Sequence, residues 1–196
     1  MKKYTKTYLI AGLAALAAVV AGVALLNSDK TSAQKQRADI TGNSLIGKPL
    51  PNIQLMDKDG RTSSLDGLKG KNAVLFFNEG LMCYPACWNQ MVAFGTDPRF
   101  NSARTIAVSV VIDSPRDWQR AVAKMPSLAR AATLFDGGAI VSRQLGVLSM
   151  GSSMHPGQVP GHTYILVDTQ GIVREVFDDP NMGVNNDLII QKISKF

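Results

Sequence analysis

Hydrophobic positions fall into three patterns along this chain. The first is one long run without a charge, Tyr8 to Leu26. The second is a set of short continuous stretches, AVLFF at 73–77 and TIAVSVVID at 105–113. Such stretches mark strands buried on both faces. The third is apolar positions spaced for one face of a helix, as in NNDLIIQKISKF at 185–196, where Leu188, Ile189 and Ile193 are expected together.

Between these lie weaker signals in a consistent order. NIQLMDKDGRTSSL at 52–65 reads as two short strands around the turn at Asp59-Gly60. Residues 87–94, CWNQMVAF, suit a helix. Ser114 followed by Pro115 suits an N-cap with proline at the first helical position, leading into RDWQRAVAKM. AATLF at 131–135 reads as a strand and GAIVSRQLGV at 138–147 as a short helix. HTYILVD and IVREVF are strands joined by a tight turn at Thr169-Gln170-Gly171. Strands alternate with helices and end in a hairpin plus helix, so the fold class is α/β, a central mixed sheet with helices on both faces.

Charge changes the picture only at the N-terminus. The chain carries +6 overall. Lys2, Lys3, Lys6, Lys30, Lys35 and Arg37 against Asp29 and Asp39 place +4 of it in the first 39 residues. What remains is a mixed, solvated surface with no basic stripe, which excludes nucleic acid as an expected partner. A helix over Tyr8–Leu26 spans about 28 Å, close to the hydrocarbon thickness of a bilayer. Residues 1–26 are therefore read as an N-terminal transmembrane anchor, with a cleaved signal as the alternative. Lysines before the run put the N-terminus in the cytoplasm and the domain on the extracytoplasmic side of the cell membrane. Residues 27–44 are polar and read as a flexible tether, and residues 45–196 as the folded domain.

The candidate chemistry sits in FFNEGLMCYPACWNQM at 76–91, which holds both cysteines of the chain, Cys83 and Cys87. If a helix begins at or just after Cys83, its free N–H groups and dipole stabilise a thiolate there. A thiolate attacks disulfides and the O–O bond of peroxides. Cys87, one turn later, lies on the same face and is placed to resolve what Cys83 captures. Glu79, four residues before Cys83, would raise the thiol pKa or relay a proton. A metal clasp and two unconnected buried cysteines remain open at this point, since the spacing alone fits them too; a static bridge is disfavoured, because so short a loop gains little from closure.

Four stretches in sequence order resemble the AhpC/TSA, peroxiredoxin-like branch of the thioredoxin-fold superfamily. They are IGKPLPNIQLMDKDGRTSSLDGLKGKNAVLFF, VSVVIDSPRDWQRAVAK, TLFDGGAIVSRQLGV and HTYILVDTQGIVREV. The resemblance covers about residues 46–180 and implies a thioredoxin-like fold with the active cysteine after the strand at 73–77. It makes Cys83 the nucleophile, Cys87 the resolving sulfur and His162 a third catalytic residue that tunes or relays a proton. It implies a protein disulfide or a hydroperoxide as substrate, a thioredoxin-like thiol donor as partner, and no organic cofactor. The family's peroxide-holding threonine falls at Gly80, the proline of that motif at Phe76, and its arginine at His162, so both polarising side chains are missing. Related disulfide reductases carry a cis-proline before the hairpin strand, for which Pro160 is the candidate. The Sco copper-assembly proteins share the fold and the Cys-x-x-x-Cys spacing. Their resemblance implies an alternative, a Cu(I) carrier using Cys83, Cys87 and His162, with His155, Met150 and Met154 as further soft or imidazole donors.

Overall fold

The computed structural model describes residues 42–196. The apolar run at Tyr8–Leu26 and most of the tether lie outside the described residues. Among the described residues no helix is long and apolar enough to cross a membrane.

Seven strands form one sheet. They are β1 (Gln54–Met56), β2 (Thr62–Ser64), β3 (Asn72–Asn78), β4 (Thr105–Val111), β5 (Thr133–Phe135), β6 (Thr163–Val167) and β7 (Val173–Asp178). Their order across the sheet is β2-β1-β5-β4-β3-β6-β7. Strands β3, β4 and β5 run parallel. The two hairpins, β1–β2 and β6–β7, close the sheet in antiparallel fashion. Among the described residues four α-helices accompany it: α1 (Ala86–Thr96), α2 (Pro115–Lys124), α3 (Ile140–Gln144) and α4 (Asn186–Ile193).

The continuous apolar runs do become the doubly buried strands. Side chains alternate across a pleat, so each such strand feeds two cores. Val74 and Phe76 of β3 join one layer, with Cys87, Trp88 and Met91 of α1, Trp118 of α2 and Ile189 of α4. Ala73, Leu75 and Phe77 join the other, with Leu55, Leu65, Val141 and Leu145. Strand β6 divides in the same way, Tyr164 and Leu166 on the first face, Ile165 and Val167 on the second. Helices thus cover both faces of a mixed sheet, as the alternation of elements predicts.

Local signals hold in detail. The Ser114 side chain accepts the N–H of Asp117 with Pro115 at the first helical turn, satisfying a donor the helix leaves free. Asp57 Oδ1 accepts the N–H groups of Asp59 and Arg61 and closes the β1–β2 turn. In α4 the expected apolar face shifts: Ile189 and Ile193 are buried, but Leu188 is 37% exposed. Residues 188 and 189 stand about 100° apart on a helix, so both cannot point at one sheet.

Candidate active site

Strand β3 ends the parallel trio, with β4 parallel on one side and β6 antiparallel on the other, and its C-terminal end carries the cysteine segment. Asn78 ends the strand with its amide between the carbonyls of Phe76 and Val110 and its Oδ1 on the N–H of Gly80. The chain then reverses through a 3-10 turn, Gly80–Met82. Gly80 has φ +62°, and a Cβ there would stand 1.7 Å from Asp113 Oδ2. A side chain at this position would strain the backbone and collide with a carboxylate, so glycine is required. Asp113, just past β4, accepts the Leu81 N–H at 2.9 Å. Burial pushes the Asp113 carboxyl up from its ordinary value.

Cys83 closes the turn, its N–H donating to Gly80 O. Helix α1 starts only at Ala86, with Pro85 as its N-cap. Of the expected onset at or just after Cys83, the structure gives the later position: the 3-10 turn takes up the N–H of Cys83, and the second residue of α1 is Cys87. The cis prolyl bond among the described residues is Tyr84–Pro85. Pro160 is not one; the close approach beside it is made by Gly161, whose added Cβ would lie 2.1 Å from Ser152 Oγ.

Cys83 and Cys87 are joined as a disulfide, with Cα atoms 5.4 Å apart, inside the ordinary range for such a bridge. Cys87 is wholly buried and Cys83 is 3% exposed. The outer edge of the pair is flanked by the exposed side chains of Met82 and Tyr84. The ring of Tyr84 packs edge-on against Trp88 and lies beneath Lys124 Nζ.

His162, the residue before β6, is fully buried. Its Nδ1 stands 3.5 Å from Cys87 Sγ. On the other side of the ring, Nε2 lies 3.1 Å from Gly183 O and 2.7 Å from Tyr164 Oη. A carbonyl only accepts, so Nε2 must carry the proton. Tyr164 agrees, because its hydroxyl donates to Gln90 Oε1 and is left to accept from Nε2. Gln90 is oriented in turn: Oε1 accepts the Asn185 N–H and Nε2 donates to Asn186 Oδ1. Asn185 Nδ2 donates to Tyr164 Oη and to Asp179 Oδ2. The chain of bonds fixes the imidazole tautomer, leaving the Nδ1 lone pair toward Cys87. Burial pulls the His162 pKa down to about 4, against the opposing charge of Asp179, so the ring is neutral near pH 7. Burial also raises the Tyr164 hydroxyl above its ordinary value.

The other candidates are placed differently. Glu79 is buried but turned toward the loop after α3, where Oε1 accepts the Met154 N–H at 2.8 Å and Oε2 lies 3.9 Å from His155 Nδ1. Met150 packs against the layer on the opposite face of the sheet, and Met154 is exposed. One atom each of Cys83, Cys87 and His162 lie within 4.8 Å of one another. With the thiols reduced that trio is a soft donor set; as a disulfide it offers no thiolate. Gln90, Tyr164, Asn185 and Asp113 were not singled out by the sequence, since nothing local to an amide or a phenol announces a partner 20 to 95 residues away.

The fold has counterparts. The family described as AhpC/TSA matches residues 46–176. Chloroplastic peroxiredoxin Q of Populus jackii is 31% identical over 139 residues, 68% of this chain and 60% of that protein. The peroxiredoxin Q of Triticum aestivum is 31% identical over 71% of this chain and 62% of its own length. The chain thus spans about 60% of the length of these curated relatives. Among solved structures, peroxidoxin BcpB of Mycobacterium tuberculosis superposes with a TM-score of 0.62 at 22% identity, covering 77% of this chain and 97% of that one. Enterococcus faecalis AhpC gives a TM-score of 0.64 at 17% identity, covering 77% and 91%.

Proposed function

The chain belongs to the AhpC/TSA family, and from that premise we propose that it is a thiol oxidoreductase cycling Cys83 and Cys87 between dithiol and disulfide. The observation that carries this reading is the closed pair with His162 Nδ1 on its inner sulfur. In the reduced state the Cys83 thiolate, at the outer edge, attacks a substrate S–S or O–O bond. One substrate fragment leaves with a proton from solvent, and Cys83 is left as a mixed disulfide or a sulfenic acid. Cys87 then gives its proton to Nδ1 of His162, and its thiolate attacks Cys83 Sγ. The second fragment leaves as a thiol or as water, taking the proton from His162, and the disulfide closes. A thioredoxin-like dithiol donor returns two electrons and two protons.

Role assignment follows from position. A general base needs to lie within reach of the proton it removes, and His162 meets Cys87. A neutral ring is available for that step. The Cu(I)-carrier alternative draws on the same Cys83, Cys87 and His162, but family membership favours redox chemistry over it. The extracytoplasmic, membrane-tethered placement remains part of the proposal, supported by the apolar run at Tyr8–Leu26 behind Lys2, Lys3 and Lys6.

The test is trapping. Cys87→Ser should hold a substrate fragment on Cys83 as a stable adduct visible by intact mass, and Cys83→Ser should abolish turnover. Turnover that survives Cys83→Ser refutes the assignment.

A further inference from the structure

Peroxide reduction and disulfide reduction ask different things of the groups around the attacking sulfur. Splitting an O–O bond expels a hydroxide or alkoxide, whose conjugate acid has a pKa of about 15.7 for water. That charge needs hydrogen-bond donors in place. Splitting an S–S bond expels a thiolate, whose conjugate acid has a pKa of about 8.5 and which leaves with little help.

The turn that presents Cys83 has spent its donors. The N–H of Gly80 goes to Asn78 Oδ1 and that of Leu81 to Asp113 Oδ2. The N–H of Met82 goes to Glu79 O, and that of Cys83 to Gly80 O. Trp88 Nε1, the nearest indole, also donates to Gly80 O. His162 presents a lone pair to the sulfurs, its proton being held by Gly183 O and Tyr164 Oη. Two acidic side chains, Glu79 and Asp113, adjoin the turn, and Glu79 Oε2 has no hydrogen-bond partner. Lys124 places its charge over the ring face of Tyr84. The space beside Gly80 is filled by Asp113, which leaves no room there for a hydroxyl-bearing side chain.

Outside the pair stand three exposed apolar side chains. Met82, Tyr84 and Met154 are each about half exposed, and Met154 is tied to the turn through Glu79. Exposed apolar side chains at a reactive centre suit a substrate with carbon on either side of its bond.

We propose that the substrate of this site is an organic disulfide rather than a hydroperoxide, because the Gly80–Cys83 turn, sealed by Asp113, offers acceptors and no free donor for a departing oxygen. This rests on the thiol oxidoreductase reading above. The overall step is dithiol plus R–S–S–R′ giving the Cys83–Cys87 disulfide plus R–SH and R′–SH.

The experiment uses the full reduced chain in stopped flow, following Trp88 fluorescence as the pair closes. Three probes are compared at one pH: hydrogen peroxide, oxidised glutathione and a disulfide-bridged peptide. Free cysteine supplies the baseline, scaled to equal thiolate. At least one disulfide should exceed baseline by about a hundredfold, while peroxide stays within about tenfold of it. The faster of the two disulfides tells a small thiol source from a polypeptide. A peroxide rate a hundredfold above baseline overturns the substrate class and leaves the thiol oxidoreductase standing. If no probe reacts and Cys83 resists alkylation, both fall. Asp113→Asn, which keeps an acceptor for Leu81, should raise the peroxide-to-disulfide ratio roughly threefold or more. An unmoved ratio removes Asp113 from the explanation.

Discussion

Nδ1 of His162 faces Sγ of Cys87 at 3.5 Å, and its Nε2 is tied back to Gly183 and Tyr164. In the proposed cycle the histidine therefore serves Cys87, the sulfur it faces. In that cycle Cys83, 3% exposed, meets the substrate, and Cys87, wholly buried, is the thiol that needs a base. Burial of Cys87 would otherwise hold it as an inert thiol.

Replacing His162 should separate the two steps. In His162→Gln the capture by Cys83 proceeds, but closure slows by about a hundredfold, the usual contribution of a positioned base. Quenched-flow mass spectrometry should then show the Cys83 adduct accumulating. If closure keeps its wild-type rate, His162 is only a packing residue.

Tyr164→Phe probes the tautomer. The phenol accepts from Nε2 and donates to Gln90, so its removal leaves buried partners short of a bond. Stability should drop by about 1–3 kcal/mol in urea unfolding. In the wild-type protein, 15N spectra of the imidazole should show Nε2 protonated. A proton on Nδ1 would reverse the direction of the network and remove the lone pair from Cys87.

Much of this was legible from the chain because it is local. The runs at 73–77 and 105–113 announce doubly buried strands, Ser114-Pro115 announces a cap, and Cys83-x-x-x-Cys87 announces a pair. His162 became visible only through the resemblance that places it before the hairpin strand. The network behind it was not legible: Gln90, Tyr164 and Asn185 meet across strand β6 and two helices, and pairing over that separation leaves no periodic trace. The same holds for Asp113, which meets the Gly80–Met82 turn across the ends of β3 and β4 through the Leu81 N–H. The helix read over 87–94 forms as Ala86–Thr96, but the 3-10 turn that separates Cys83 from it left no signal in the sequence.

Gly80→Ala should be severely destabilising for a named reason. Its φ is +62°, and the new methyl would fall 1.7 Å from Asp113 Oδ2. Strain at such φ adds about 1 kcal/mol or more, and the clash must move either the turn or Asp113. A loss of roughly 2–4 kcal/mol is expected by denaturant unfolding. Gly80→Ala with Asp113→Ala should recover part of it, since the collision goes while the backbone strain stays. Equal losses in the single and double variants would mean that Asp113 does not fill that space.

Stability should also fall with acid in a window set by His162. Its pKa is held down at about 4 in the folded protein by burial, against about 6.5 in an unfolded chain. Between these values the unfolded state binds the proton and the folded state does not, so acid favours unfolding. The contribution is fully present above pH 6.5 and is lost as the pH falls toward 4. At pH 4.5 the loss amounts to about 2–3 kcal/mol. Asp113, raised by burial, works in the opposite sense, since its protonation favours the folded state. Asp97, held down to about 2 chiefly by its hydrogen bonds to Arg99, loses its contribution only at lower pH. The clean measurement is therefore a difference: urea unfolding of wild type and His162→Gln at pH 7 and pH 4.5. The variant should lack the His162 share of the drop. If both proteins lose the same stability over that interval, the ring is not held neutral in the fold, and the base proposed for Cys87 loses its support.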